Sequence, residues 1–241
     1  ESEHEALMFY EEALLCDESY VDAHYGKGRS YYNLEQWSDA IECYDRTLKC
    51  FSSSSDNVKG IQIGSDTLEV KAFYFKGVCL GYSEKYTDQI KWYADFIQKF
   101  PKSDHCKDAW MGTAWAQNSI KKYADALDSC KIAFKILKKR KVTRKPDTGS
   151  LNKEEKKLLK LDMKELKSDL EFLYQERGSA FAGLEQYDDA IKDYKKLRPT
   201  KDWTWPLYRI IHCLGQLGRT KEQKEYRKKL ADLEDDDPMS P

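Results

Sequence analysis

The 241-residue chain has no run of eighteen or more apolar residues, so no segment is expected to cross a membrane as a helix, and no signal peptide is visible. Nor is there an excess of one charge. Basic residues number 41 against 42 acidic, and the net charge of −1 gives no global bias toward nucleic acid or membrane and argues for a protein partner. No two of the seven cysteines stand in C-x-x-C spacing, and an odd count without paired spacing reads as reduced thiols inside a cell. The four histidines are His4, His24, His105 and His212. Two of them adjoin Cys106 and Cys213, but adjacent side chains diverge on a helix, which is poor geometry for a metal. No G-x-S-x-G, H-E-x-x-H or G-x-x-x-x-G-K-[ST] stretch occurs, so no catalysis, cofactor or metal is expected.

What the chain has instead is a recurring phrase. A small residue in an apolar helix is followed twelve positions later by Ala or Gln: Gly28 and Ala40, Gly77 and Gln89, Ala114 and Ala126, Gly178 and Ala190. An aromatic residue, Trp37, Tyr86, Tyr123 or Tyr187, stands three places before the second member. A constant interval with changing residues means that one helix pair is built repeatedly, each pair burying its apolar face on the next. A weaker fifth copy runs through Leu207, Ile210, Ile211, Leu214, Gly218, Gln223 and Leu230. At the start, Ala6, Leu7, Tyr10, Ala13 and Leu14 match Ala40, Ile41, Tyr44, Thr47 and Leu48 at a separation of 34, so the chain opens on a second helix alone. With no initiator Met, this reads as a piece of a longer protein.

These residues resemble the tetratricopeptide repeat, a helix–turn–helix unit of about 34 residues with the pattern W-x2-L-G-x2-Y…A-x3-F…P. Trp110, Ala114, Tyr123 and Ala126 fall in its register, as do Phe73, Gly77, Leu80, Tyr93 and Pro101. The resemblance implies an all-α, right-handed α-solenoid: a lone second helix over 1–20, repeats over 21–54, 70–103, 107–140, 171–203 and 204–234, insertions over 55–69 and 141–170, and an acidic tail over 235–241. The small residues are expected to let paired helices approach closely. Gln89 and Gln223 break that rule, and Gln89 is expected to loosen its crossing or snorkel. Cys16 and Cys50, 34 apart, should fill one packing slot as small hydrophobes.

The insertions carry what is individual. The first contains Ser52-Ser53-Ser54-Ser55, Gly60 and Gly64 with Ile61 and Ile63, and reads as a spacer or a flap over the neighbouring groove. The second opens on Lys138, Lys139, Arg140 and Lys141, continues through Arg144 and Lys145 to a Pro146-Asp147-Thr148-Gly149 turn, then starts a helix with a cap-like Asn152 and Glu155. Leu159, Met163, Leu166, Leu170 and Leu173 form a two-heptad apolar seam, expected to run on into the first helix of repeat four and to be covered by neighbouring repeats or by a partner helix. The basic run is a solvated face, a site for an acidic surface or nucleic acid, or a nuclear-import signal. It lacks the aromatic interleaving that single-stranded nucleic acid favours.

Function in such an array is expected on the concave surface lined by the first helices. The repeat register puts there Tyr25, Arg29 and Tyr32, then Lys71, Tyr74 and Tyr82, then Met111, Trp115 and Asn118, then Phe172, and finally Trp205 and Tyr208. An aromatic groove with scattered charges suits a peptide. Relatives that hold the C-terminal carboxylate of Hsp70 or Hsp90 use a clamp of lysines, asparagines and an arginine. Here its places are occupied by Tyr25, Arg29, Phe75, Asp108 and Gly112, which argues against that ligand. The reading is a non-catalytic protein–protein interaction module, cytoplasmic or, through Lys138–Lys141, nuclear. Two alternatives are a scaffold that oligomerises through Leu159–Leu173, and a binder of acidic surfaces or nucleic acid through Lys131–Lys145.

Overall fold

The computed structural model describes residues 2–53, 62–63, 66–143 and 153–235. Eleven helices are present among them: α1 (Glu3–Cys16), α2 (Val21–Asn33), α3 (Trp37–Ser53), α4 (Leu68–Tyr82), α5 (Tyr86–Lys99), α6 (Cys106–Ser119), α7 (Tyr123–Thr143), α8 (Lys153–Gly183), α9 (Tyr187–Tyr194), α10 (Trp205–Gln216) and α11 (Thr220–Asp235). The fold is the expected all-α solenoid class, made of helix hairpins. The first insertion contains one small addition, an antiparallel pair of two-residue strands, β1 (Gln62–Ile63) and β2 (Asp66–Thr67).

The chain forms two compact units, residues 1–116 and 117–241, and the boundary falls inside α6 rather than between repeats. The near-neutral whole conceals a division of charge: unit 1 holds 12 basic and 20 acidic residues, unit 2 holds 29 and 22, so the net charges are −8 and +7.

Every hairpin turns in the same way. Glu35, Glu84, Lys121, Glu185 and Gly218 have φ of 58°, 58°, 61°, 61° and 66°. The amide of the residue after each donates back to the carbonyl five residues earlier, Gln36 to Tyr31 at 2.9 Å, Lys85 to Leu80 at 2.9 Å, Lys122 to Gln117 at 2.8 Å, Gln186 to Phe181 at 2.8 Å and Arg219 to Leu214 at 2.9 Å. This left-handed cap satisfies the carbonyls orphaned at the end of the first helix and starts the second two residues on. Glycine is the usual occupant of such a position, yet only the fifth turn has one.

The small slots of the first helices are filled by tyrosine rings. A Cβ on Gly28 would lie 2.8 Å from the Tyr44 ring and one on Gly178 would lie 2.6 Å from Tyr194, while one on Gly77 would collide with Tyr93. Tyr44, Tyr93 and Tyr194 are 0%, 1% and 0% exposed and carry much of the buried area. Gln89 does not snorkel: it is 1% exposed, seated against Gly81, whose missing side chain makes the room. Gln223 repeats the arrangement on Gly215 and donates from Nε2 to the Ile211 carbonyl at 3.1 Å.

In unit 1 the core runs through Ala40, Tyr44, Ala72 and Cys79 to Val70, Phe73, Tyr93, Phe96 and Ala109. Helix α1, capped reciprocally by Ser2 and Glu5, lies on α2 with Tyr10 over Gly26 and buries no residue fully. Cys16 at its end is therefore exposed, whereas Cys50 is half-buried, and the two do not share an environment. In unit 2 the core is Ala190, Ile191, Tyr194, Leu197, Ile210, Cys213 and Leu214. Helix α8 is continuous over 31 residues, about 46 Å at 1.5 Å per residue, so the helical insertion and the first helix of repeat four are one element. Of its seam, Leu173 is buried and Leu159, Leu166 and Leu170 half-buried, but Met163 is 64% exposed, as are Leu158 and Leu161 at 64% and 65%. The 146–149 turn and the Asn152 cap lie outside the described residues.

Candidate functional site

In unit 1 the first helices bring most of the expected groove residues together. The Arg29 guanidinium lies 4.4 Å over the Phe75 ring and 5.8 Å from that of Tyr32, and the Tyr32 and Phe75 rings meet edge-on at 5.6 Å. Tyr74 stacks on His105 at 4.2 Å, and Tyr25 tilts against Tyr44 at 6.0 Å. At the turn end of the hairpins Tyr32 meets Trp37 at 5.5 Å, Trp37 stacks on Tyr82 at 4.8 Å, Tyr82 touches Trp115 at 6.1 Å, and Trp115 meets Tyr86 edge-on at 5.4 Å. In this chain of rings Tyr82 is 53% exposed. Met111 is 8% exposed, which places it in the core rather than in the lining. Lys71 is half-buried on α4.

Near this face Asp108 accepts from Lys107 Nζ at 2.7 Å and sits 3.5 Å from His105 Nδ1. Burial raises its carboxyl pKa, but these neighbours outweigh burial and hold it below the ordinary aspartate value.

In unit 2 the expected residues do not converge. Asn118 donates from Nδ2 to the carbonyl and to Oε2 of Glu176, at 2.8 and 2.9 Å, and is thus committed to holding α8. Trp205 packs edge-on against Tyr194 at 5.5 Å, and Tyr208, 51% exposed, donates to Glu234 at 3.0 Å. Phe172 is half-buried on α8, and no hydrogen bond or ring contact joins it or Asn118 to Trp205 or Tyr208 among the described residues. Burial pushes the Glu176 carboxyl above its usual range, with Asn118 and Gln175 offsetting only part of the effect.

What α7, α8 and the segment after α9 do form is a cleft of about 810 Å³ lined by Lys131, Phe134, Lys135, Lys138, Lys139, Tyr174, Arg177 and Lys196. Arg177 donates to both carboxylate oxygens of the buried Asp193, at 2.7 and 2.8 Å, and its guanidinium lies 4.5 Å over Phe134. Lys196 lies 4.3 Å over Tyr174. Of the basic run, Lys138 and Lys139 are exposed near the end of α7, Arg140 and Lys141 continue its backbone, and Arg144 and Lys145 lie outside the described residues.

The chemistry available is recognition. Among the described residues no group of His, Cys, Asp or Glu could hold a metal, and all seven cysteines are free. Burial pushes the Cys79 and Cys130 thiols up to about 12, which leaves them protonated and unreactive. Among the described residues no helix is long and apolar enough to cross a membrane.

Residues 21–53, which span α2, its turn and α3, match the family model of the tetratricopeptide repeat. The chain carries a tetratricopeptide repeat. Solved structures similar to it include YrrB, a TPR protein with an unusual peptide-binding site, at 16% identity over 80% of this chain and 75% of that one, TM-score 0.52. PilW, a type IV pilus biogenesis factor, aligns at 15% identity over 99% and 87%, TM-score 0.62. BtubC from P. vanneervenii aligns at 9% identity over 100% and 92%, TM-score 0.64. At these identities the likeness is one of fold. No curated protein matches the chain. Tetratricopeptide arrays are scaffolds for protein–protein interaction and are generally non-catalytic.

Sequence reasoning passed over Phe75, Trp37, Tyr86 and His105 as members of the face. Trp37 and Tyr86 hold one repeat position at the start of a second helix, and their closeness in sequence to Tyr32 and Tyr82 across a three-residue turn was the available signal.

Proposed function

We propose that the chain is a non-catalytic scaffold that holds a peptide or helical segment of a partner protein on the aromatic face of α2, α4 and α6 in unit 1. The observation that carries this reading is the linked set of rings from Tyr32 through Trp37 and Tyr82 to Trp115, with Tyr82 53% exposed and Arg29 beside Tyr32. Rings fixed by other rings lose little freedom when a ligand covers them, which is why aromatic residues and arginine dominate binding hot spots. The net charge of −8 on unit 1 favours a ligand with apolar anchors and basic flanks. Self-association through Leu159–Leu173 would use only part of the seam, because Leu173 is buried and Leu166 and Leu170 half-buried within unit 2, while Met163 and Leu161 remain exposed.

Peptides selected from a displayed library against the chain, measured by titration calorimetry, test the proposal. Tyr82→Ala is expected to cost about 2 kcal/mol, roughly thirtyfold in Kd, whereas Arg29→Glu, which removes a cation and adds an anion on this face, should shift the preference toward peptides with basic flanks. Unchanged affinity in Tyr82→Ala with helicity intact would remove the site from this face.

A further inference from the structure

We infer that unit 2 carries a second binding site, the cleft between α7, α8 and the segment that follows α9, which takes a short run of acidic residues from a partner peptide. Among the described residues, six of the eight that line it are cationic and none is a carboxylate. Three of the six are already engaged: Arg177 and Lys196 both reach the buried Asp193 behind the cleft, at 2.7 and 3.3 Å, and Lys139 has an interaction of its own. Lys131, Lys135 and Lys138 are exposed, stand at i, i+4 and i+7 on one face of α7, and have no ion-pair partner among the described residues. These three ammonium groups face the opening with their charge unmatched, in a unit whose net charge is +7.

The floor decides between two anionic partners. Single-stranded nucleic acid needs open ring faces on which its bases stack. Here Arg177 covers Phe134 at 4.5 Å, Lys196 covers Tyr174 at 4.3 Å, and Phe134 is only 7% exposed. The rings therefore serve to fix cations in place, and fixed cations without open rings suit carboxylates. From Lys131 to Lys138 the helix rises about 10 Å, the reach of about three residues of extended chain. The ligand is thus a run of three or four Asp or Glu residues.

Fluorescein-labelled hexaglutamate titrated against the whole chain, followed by anisotropy at low and at moderate salt, tests this. Binding is expected at low salt and should weaken as salt is added. The triple variant Lys131→Glu, Lys135→Glu, Lys138→Glu should weaken it by about tenfold or more, as three exposed charge contacts imply. Reversing Lys221, Lys224 and Lys228 on α11 changes the net charge equally and should leave the affinity within about twofold. Tyr82→Ala should leave it unchanged, so this site and the one in unit 1 fail separately. If the charge-reversed triple loses helicity, the corresponding alanine triple takes its place. Absence of binding at low salt would overturn the inference, as would equal losses in the two triples. Tighter binding of an oligouridylate, lost in the α7 triple, would overturn it in favour of RNA.

Discussion

In unit 1 the ring of Trp37 lies against the ring of Tyr82 at 4.8 Å, whereas in unit 2 the ring of Tyr174 lies beneath the ammonium of Lys196 at 4.3 Å. The hairpins that hold these pairs share their turn geometry and their buried tyrosine, so the backbone does not make the difference. Supply does. Twenty of the 31 aromatic residues fall in unit 1 and 29 of the 41 basic residues in unit 2. Where rings are plentiful they cover one another and leave Tyr82 as an apolar anchor. Where they are scarce, cations cover them, and the surplus cations give the surface its character. One repeat thus supports two kinds of recognition without any change of fold.

The hairpin common to both units can be tested at the buried tyrosine. Tyr93→Ala and Tyr194→Ala should each cost about 3–5 kcal/mol, read from urea unfolding by circular dichroism, because each empties the space that Gly77 or Gly178 leaves. A cost in one unit far below that in the other would show that the shared slot does not do the same job in both.

A subtler effect separates the units by pH. Burial raises the folded-state pKa of Glu176 in unit 2, so the folded chain holds that proton more tightly than the unfolded chain, and the contribution of Glu176 to stability declines as pH rises above 4.5 through the folded pKa. Asp108 in unit 1 is depressed: its contribution is present above 3.8 and is lost as pH falls through the folded pKa. Urea midpoints across the acid range should show Glu176→Gln gaining on the parent chain as pH rises, and Asp108→Asn losing ground over the same direction. The same sign in both variants would contradict the assignment.

The smallest expected change is at the turns. Glu84→Gly in unit 1 and Glu185→Gly in unit 2 each replace a side chain held at positive φ, and each should raise stability by about 0.5–1 kcal/mol, visible as a higher Tm. A loss in either would mean that its side chain stabilises the turn more than the left-handed backbone costs.

The helix pairs were legible in the sequence because their apolar spacing repeats: the second helices begin at Trp37, Tyr86, Tyr123 and Tyr187, the aromatic positions that mark each copy. The continuity of α8 followed from the unbroken Leu159–Leu173 rhythm. Gln89 was harder to read, because a polar side chain at a small-residue slot looks like an exception until Gly81, eight residues earlier, is seen to make the room. Gly215 and Gln223 stand in the same relation, so the signal was present twice. Met111 was assigned by helix phase alone, and phase does not tell a lining position from the flank that turns into the core. The opposite charges of the units were hidden by a total near zero. The cationic cleft gathers residues of α7, α8 and the segment after α9 that lie up to 65 positions apart, a proximity that no local pattern encodes.

The repeated left-handed turn has a consequence for how such a chain changes length. All five joints inside the hairpins have the same number of residues, while both insertions, after α3 and after α7, fall in the links between hairpins. The joints are locked in phase by their caps, and one added residue would rotate the second helix off its tyrosine. The links bear no such constraint, so new segments, tags or grafted loops will be tolerated there and rejected at positions 35, 84, 121, 185 and 218.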